Sequence, residues 1–185
     1  NANPPANRTL PAAFGQDKLI NYELGLRTSN AARTLTASAT TYFIDWRNIQ
    51  LRQVTSVGPI YARNAGRAYT YGVELGMAWK PVAQLEWQGG LAFGQAKLAQ
   101  RYAQAGSVAP GGTRLPGSSK WSASSLATYR FAGAYQPFVT LSYQYRSKAT
   151  VDLFDTGPKL GCYGLRGLRA GFSLGAATYT AYAEN

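Results

Sequence analysis

The sequence predicts an all-β chain built from consecutive antiparallel hairpins. Large apolar residues recur at a spacing of two, which is the period of side chains on one face of a strand. The 185 residues include thirteen Tyr, seven Phe, four Trp and twenty Gly, and aromatic residues favour strands. The connections alternate between short and long, as in an up-and-down sheet of hairpins.

The two-residue period defines eight strands. The clearest lies between Tyr69 and Trp79, where every second residue is large and apolar and the residues between are Thr, Gly, Glu and Ala. We expect strands at 18–29, 34–52, 66–80, 84–99, 119–131, 137–149, 163–174 and 177–185. The tight connections are 29–33, 80–84, 131–136 and 174–177, and the long ones are 53–65, 100–118 and 150–162.

The apolar faces of these strands could contact either a protein core or lipid, because both give the same alternation. Many of the strands exceed ten residues, which is long for a soluble sheet and enough to cross a bilayer on a tilt. Aromatic rings lie toward the strand ends. Tyr69 and Trp79 stand at opposite ends of one strand, and Tyr42, Phe43 and Trp46 cluster on another. The fold class we predict is an antiparallel up-and-down transmembrane β-barrel segment of about eight strands.

The amino-acid composition limits the partners and the kinds of site that this chain can have. The chain has 19 Lys and Arg against 8 Asp and Glu, a net charge of +11 that favours polyanionic partners such as nucleic acid or lipid phosphate. The lone Cys162 excludes an intramolecular disulfide, and the lack of His excludes the common Cys/His zinc sites and a Ser-His-Asp system. No run of about 18 apolar residues predicts a transmembrane helix. We expect no enzyme activity, metal or cofactor.

Five motifs, in order, resemble the C-terminal barrel region of TonB-dependent outer-membrane receptors. They cover nearly the whole chain: NYELGLRTS (21–29), TTYFIDWRNIQL (40–51), YARNAGRAYTYGVELGMAWKP (61–81), TRLPGSSKWSASSLATYRF (113–131) and YTAYAEN (179–185). One departure is that Ser119 and Lys120 precede Trp121, where the family usually has a proline.

The resemblance implies that residues 1–185 are part of a barrel of about 22 strands around a plugged lumen. It also implies that the plug domain, the early strands and the final strands have no counterpart in this sequence. The implied function is active transport of a scarce nutrient, above all a ferric siderophore, across the outer membrane of a Gram-negative bacterium. Energy would come from the TonB complex through the missing plug.

Acidic and basic residues on the more polar strand faces are candidates for the lumen wall. They are Glu23, Arg27, Glu74, Glu86 and Arg130. Glu23 and Glu74 stand in matching Glu-Leu-Gly motifs, and the resemblance implies that they face the barrel interior. There they could pair with Arg27, Arg67 or arginines of the plug, and we favour such structural pairing over a transport role.

A second set of candidates lies in or beside the long connections, which the predicted topology places outside the cell. They are Arg52, Tyr61, Arg63, Arg67, Arg101, Arg114, Lys148 and Lys159. Three interpretations stay open for them: contact with an anionic ligand such as a ferric siderophore, contact with lipopolysaccharide phosphates, or solvated loop charge.

Two other functions compete with transport. A complete eight-stranded outer-membrane barrel could act as a binding or adhesion module, and it would need 177–185 to pair with 18–29. A soluble nucleic-acid-binding domain would need cations and rings to converge on one face. The sequence instead places the rings on the apolar face and the arginines in loops or on the opposite face, so nucleic acid is not an expected partner.

Overall fold

A computed structural model describes residues 15–55, 58–64, 66–104, 107–154, 157 and 159–185. In this part of the chain the regular elements are all strands. They are β1 (Lys18–Ser29), β2 (Leu35–Arg47), β3 (Gln50–Thr55), β4 (Gly58–Asn64), β5 (Arg67–Val82), β6 (Leu85–Leu98), β7 (Tyr102–Gln104), β8 (Ser107–Ala109), β9 (Trp121–Arg130), β10 (Phe138–Arg146), β11 (Ala149–Thr150), β12 (Lys159–Leu160), β13 (Tyr163–Leu174) and β14 (Ala177–Glu184).

The eight longest strands form one antiparallel sheet in the order β1-β2-β5-β6-β9-β10-β13-β14. Each therefore lies beside the long strand that precedes it in the chain, which confirms the predicted all-β, up-and-down arrangement. Within the described residues β1 and β14 do not pair, so the sheet remains open. The alternative of a closed eight-stranded barrel is wrong for this structure.

The strand predicted over 34–52 is wrong, because the chain breaks it in two. β2 ends at Arg47, and Asn48 adopts a left-handed φ of 56°. Asparagine tolerates this region better than most residues. The amide of Ile49 then donates to the carbonyl of Gly66 at 2.9 Å, and β3 begins at Gln50. The other predicted strands agree with the structure to within three residues at each end.

Each of the three long connections contains a small hairpin of its own. β3 pairs with β4, β7 with β8, and β11 with β12, each as a separate two-stranded sheet. The sequence predicted only loops here, because strands of two or three residues such as β7 and β11 are too short to show a period. The three long connections lie at one end of the strands, which we call the long-loop end. The short turns lie at the opposite end, which we call the short-turn end.

The turn between β1 and β2 shows how the short connections are held. The side-chain oxygen of Asn30 accepts from the amide of Leu35 at 3.0 Å, and its amide nitrogen donates to the Thr34 hydroxyl at 2.8 Å. Arg33 completes the reversal at a positive φ of 54°. An asparagine side chain that bonds the local backbone is a common device in tight turns.

Strand register sorts the side chains into two faces, because directly paired residues point to the same side of a sheet. Tyr71 pairs with Phe43, Val73 pairs with Phe93, and Leu141 pairs with Leu168. The resulting apolar face carries many exposed large side chains, including Leu24, Leu26, Val73, Leu75, Leu91, Leu141, Leu168 and Phe172. We call the other side the polar face.

Aromatic rings mark both ends of the apolar face. At the long-loop end, Tyr69 stacks between Phe43 and Tyr71 with centroids 6.3 and 6.2 Å away. At the short-turn end, Phe172 stacks on Tyr179 at 5.5 Å. The predicted positions of Phe43, Tyr69 and Tyr71 near strand ends are therefore confirmed. Tyr42 and Trp46 also lie toward the end of β2, but they stand opposite Glu23 and Leu19 on the polar face.

Tyr42 lies across two glycines on the polar face. It pairs directly with Gly72, which in turn pairs with Gly94. The tyrosine hydroxyl lies 2.6 Å from the position that a Cβ would take on Gly72, and 2.8 Å from that on Gly94. The ring can occupy this position only because both neighbours lack side chains.

We predict that Gly72→Ala destabilises the protein by about 1–3 kcal/mol, the usual cost of overfilling a packed site. The added methyl group would meet both the Tyr42 ring and the carbonyl oxygen of Phe93, and a strand carbonyl cannot move aside cheaply. Thermal unfolding measured by heat-modifiable gel mobility checks this. Gly161→Ala is the control, because nothing lies within 4 Å of its added Cβ. Equal losses for the two variants would contradict the prediction.

Candidate functional site

The polar face presents an open, concave surface near its middle. One row of paired residues crosses five strands, from Thr40 through Glu74, Ala92 and Ser122 to Arg146. The next row toward the short-turn end consists of small or polar residues, which are Ser38, Gly76, Gly90, Ser124 and Gln144. The small side chains leave a cavity of about 350 Å³. Its rim offers a carboxylate, a guanidinium and an amide to a polar ligand or protein segment.

An apolar cluster covers the polar face at its long-loop end. Leu98 and Ala68 pair across β5 and β6 and are 0% and 1% exposed. The side chains that bury them come from the long connections, together with the strand ends: Ile49, Ala109, Leu115 and Leu153, with Trp46, Leu51, Ala96, Tyr102 and Phe154 packed alongside. All three long connections therefore fold over the polar face and share one core.

Polar contacts tie the segment before β1 into this long-loop end. The Trp46 indole donates to the Asp17 carboxylate at 2.8 Å. The Asn64 side chain accepts from the amide of Gly15 at 2.8 Å and donates to the carbonyl of Asn48 at 2.8 Å. These bonds join the entry to β1, the corner after β2 and the end of β4 into one arrangement.

A group of cations lies on the apolar face, just beyond the rings at the long-loop end. Asp45 is 4% exposed and accepts from Nε of Arg67 at 2.5 Å and from Nε of Arg47 at 3.0 Å. In the β1–β2 ladder, Arg47 stands directly opposite Lys18. Lys97 pairs with Tyr69, and an isolated bridge joins it to Arg114. We call Lys18, Arg47, Arg67, Lys97 and Arg114 the rim cation cluster.

A known protein family matches nearly the whole chain. The family model described as "TonB dependent receptor-like, beta-barrel" matches residues 8–185. The chain belongs to this family. It is a family of outer-membrane transport receptors, so the predicted family resemblance and barrel fold are confirmed.

Solved structures share the fold of this TonB-dependent receptor chain. The ferric yersiniabactin uptake receptor FyuA from Yersinia pestis matches 91% of this chain with a TM-score of 0.71 and 22% identity. The ferric-catecholate import receptor Fiu from E. coli K12 matches 93% with a TM-score of 0.67 and 17% identity. The copper transporter OprC matches 91% with a TM-score of 0.67 and 15% identity. This chain covers 24%, 24% and 25% of those three chains.

The five lumen-wall candidates of this receptor chain all lie on the polar face, but they do not form one site. Glu23 accepts from the Asn21 amide at 3.0 Å, and Glu86 pairs with Lys80 at 2.9 Å. The Arg130 guanidinium lies 6.0 Å from the centroid of the Phe138 ring near the short-turn end. Arg27 pairs in register with Ser38, and Glu74 lines the cavity.

The expected pairing of Arg67 with Glu23 or Glu74 is wrong. Arg67 is the first residue of β5 and lies on the apolar face, where its guanidinium forms an ion pair with the Asp45 carboxylate. Lys18, Arg47, Lys97 and Asp45 were not predicted as its companions. Continuing the two-residue period backward from Tyr69 to Arg67, and forward from Phe43 through Asp45 to Arg47, would have placed Arg67 and two of these four residues on one face.

The loop candidates separate into groups. Arg67 and Arg114 belong to the rim cation cluster. Arg101 follows β6, Lys148 precedes β11, and Lys159 begins β12, all with exposed side chains. Arg52, Tyr61 and Arg63 belong to the β3–β4 hairpin, and their side chains lie outside the described part of the chain.

Within the described ranges, no group of three or more Asp, Glu, Cys or His side chains is placed to hold a metal ion. The same part of the chain has no helix long and apolar enough to cross a membrane. Cys162 is exposed in the connection that leads into β13.

We predict that Leu98→Ala loosens the long connections of this receptor. A leucine truncated in a core costs about 2–5 kcal/mol, and here all three connections share the core that is lost. Amide hydrogen exchange should become faster in residues 48–66, 99–120 and 147–157. Leu91→Ala is the matched control, since Leu91 lies on the same strand, on the apolar face, and is 43% exposed. Unchanged exchange in Leu98→Ala would contradict the shared core.

Proposed function

We propose that this chain is part of the barrel wall of an active transport receptor that takes up a scarce nutrient across the outer membrane. The observation that carries the proposal is the family match over residues 8–185, together with the eight-stranded antiparallel sheet. In this proposal, energy comes from the TonB complex through a plug domain encoded outside residues 1–185.

The open edges of the sheet support a larger barrel. β1 and β14 each have one neighbour in the sheet, so one side of each strand presents unpaired backbone groups. Unpaired amides and carbonyls are costly in hydrocarbon, which is why sheets that span membranes close on themselves. The chain also spans only about a quarter of the length of the receptors that it matches. Further strands would supply the missing partners.

The two faces and two ends then take defined roles. The apolar face contacts lipid, and its two sets of rings lie at the two membrane interfaces. The polar face lines a watered lumen. The long-loop end is extracellular, because outer-membrane barrels have long loops outside and short turns in the periplasm. In this orientation the shared core of the long connections lies over the outer mouth of the lumen.

For the substrate we favour an anionic ferric siderophore. The chain carries +11 net charge, and Arg101 and Lys148 are exposed at the long-loop end, where they would raise the local concentration of an anion. Tyr102 stacks on Phe154 at 6.4 Å and adds an aromatic surface. FyuA is a ferric yersiniabactin uptake receptor and Fiu is a ferric-catecholate import receptor, whereas OprC is a copper transporter, so metal cargo in another form is the second candidate.

Uptake by cells tests the function directly. A strain that lacks the gene for the full receptor should lose uptake of one iron-loaded siderophore from a panel of catecholate, phenolate and hydroxamate types. A strain that lacks TonB should lose the same uptake, and a plasmid-borne receptor should restore it only when TonB is present. Full uptake of every siderophore and of copper in the deletion strain would contradict the proposal.

We further predict that Arg146→Glu lowers siderophore uptake by about tenfold, a loss that corresponds to one charge-assisted hydrogen bond. The substitution places a second carboxylate in the row that holds Glu74 and reverses the charge on the rim of the cavity. Arg33→Gln in the first short turn is the control and should leave uptake unchanged. Equal uptake by both variants at matched surface levels would exclude Arg146 from the transport path.

A further inference from the structure

We propose that cargo enters the lumen beside strands β10 and β13, while the apolar cluster over β5 and β6 stays closed during transport. This inference rests on the proposed function, because it takes the polar face as the lumen wall and the long-loop end as the outer mouth. We call the cluster side chains that come from the three long connections the cap. They are Ile49, Leu51, Tyr102, Ala109, Leu115, Leu153 and Phe154.

The cap covers only one part of the polar face at the long-loop end. On β5 and β6, Ala68 and Leu98 are 1% and 0% exposed beneath it. On β10 and β13, Gln144, Arg146 and Tyr163 lie on the same face toward the same end, and all three are exposed. Along this stretch of wall, the mouth is therefore covered over β5 and β6 and uncovered over β10 and β13.

The cavity on the polar face continues the uncovered part toward the middle of the wall. Its lining includes Arg146 and Tyr163, with Ser124 and Gly90 one row farther toward the short-turn end. Among the described residues, no cap side chain lines this cavity. A solute that passes the mouth at β10 and β13 thus reaches the cavity without displacing the cap.

Backbone hydrogen bonds fasten the cap to the sheet and join two of its connections to each other. The Leu115 amide donates to the Ala96 carbonyl of β6 at 2.9 Å, and the Gly117 amide donates to the Thr150 carbonyl of the third connection at 2.8 Å. Opening the cap would break such bonds and expose apolar side chains from all three connections to water at once. Segments that open in function usually have few buried apolar contacts. The cap is built around such contacts and therefore stays closed.

The side chains at the uncovered part suit an anionic cargo. Arg146 stands directly opposite Tyr163 in the β10–β13 ladder, and within the described residues its guanidinium forms no ion pair. The Tyr163 ring is 50% exposed. An unpaired guanidinium attracts an anion, and an exposed ring beside it offers a surface on which a planar group can stack. These two residues are the first contacts that this wall offers to an entering anionic chelate.

Thiol labelling tests the route, with the full-length receptor expressed in the outer membrane of living cells. All variants also carry Cys162→Ser, because the native thiol is exposed and would react. A membrane-impermeant maleimide should label Gln144→Cys quickly. It should label Ala68→Cys and Ala109→Cys, at positions 1% and 2% exposed, at least about tenfold more slowly, both at rest and during uptake of the siderophore that the panel identifies. Labelling after denaturation verifies that the buried thiols are present.

The second measurement is uptake after each exposed thiol has been labelled with a bulky maleimide. A label on Gln144→Cys should abolish the uptake that the same variant shows before labelling, because it stands in the uncovered part of the mouth. Val108→Cys is the matched control, since Val108 lies in the second connection, outside the buried cluster, and is 46% exposed. The same label there should leave uptake unchanged. Heat-modifiable gel mobility verifies that every variant is folded.

Fast labelling of Ala68→Cys or Ala109→Cys during transport would show that the cap opens, and it would overturn the inference. Uptake that survives a label on Gln144→Cys, or that is lost equally with a label on Val108→Cys, would overturn it as well. A receptor that transports before labelling and gives any of these results keeps its transport role and loses only the entry route. If the unlabelled receptor takes up no compound of the panel, the proposed function is contradicted and the entry route with it.

Discussion

Backbone hydrogen bonding between neighbouring long strands is the constraint on which the rest of this structure depends. A wall that spans hydrocarbon must pair its amides and carbonyls internally, since no water is present to do so. The ladder between β2 and β5 runs without a slip from Arg47 and Arg67 to Leu35 and Trp79. The ladder between β5 and β6 keeps register until an irregularity between Trp79 and Val82 at the short turn. Because a slip of one residue would exchange the two faces, this register decides which side chains form the apolar face.

Register also explains the contrast between the two faces. On the apolar face, large side chains stand next to one another and remain exposed in the sheet itself. On the polar face, glycines recur in the same rows, with Gly72 beside Gly94 and Gly76 beside Gly90. Because these glycines have no side chains, the Tyr42 ring can lie across Gly72 and Gly94, and a cavity forms beside Glu74. The same ladder therefore builds a thick apolar face and a shallow polar face, which the proposed function assigns to lipid and to the lumen.

Much of the sheet could be predicted from the sequence because the period of two is long and regular. The strand from Tyr69 to Trp79 and its neighbours were predicted in the correct order and with the correct faces. The break at Asn48 could not be predicted, because it depends on the bond between Ile49 and Gly66, which are far apart in the chain. The hairpins in the long connections were missed for a related reason. Their stability comes from packing on Leu98 and Ala68 rather than from their own short strands.

The candidate site was less predictable, because position in a connection says little about which face a side chain takes. Arg67 was predicted to lie in or beside a long connection, yet the β2–β5 ladder places it beside Arg47, and its guanidinium binds Asp45. The face of the charged strand residues was more predictable, since Glu23 and Glu74 lie within regular strands where alternation determines the face.

The shared core at the long-loop end limits how this surface can change in evolution. Loops on a protein surface usually vary in sequence more than the elements that they connect. Here Ile49, Ala109 and Leu153 come from three different connections and are buried in one cluster. A replacement in one connection must fit the other two, so these loops would be inherited, exchanged or grafted between receptors as one unit.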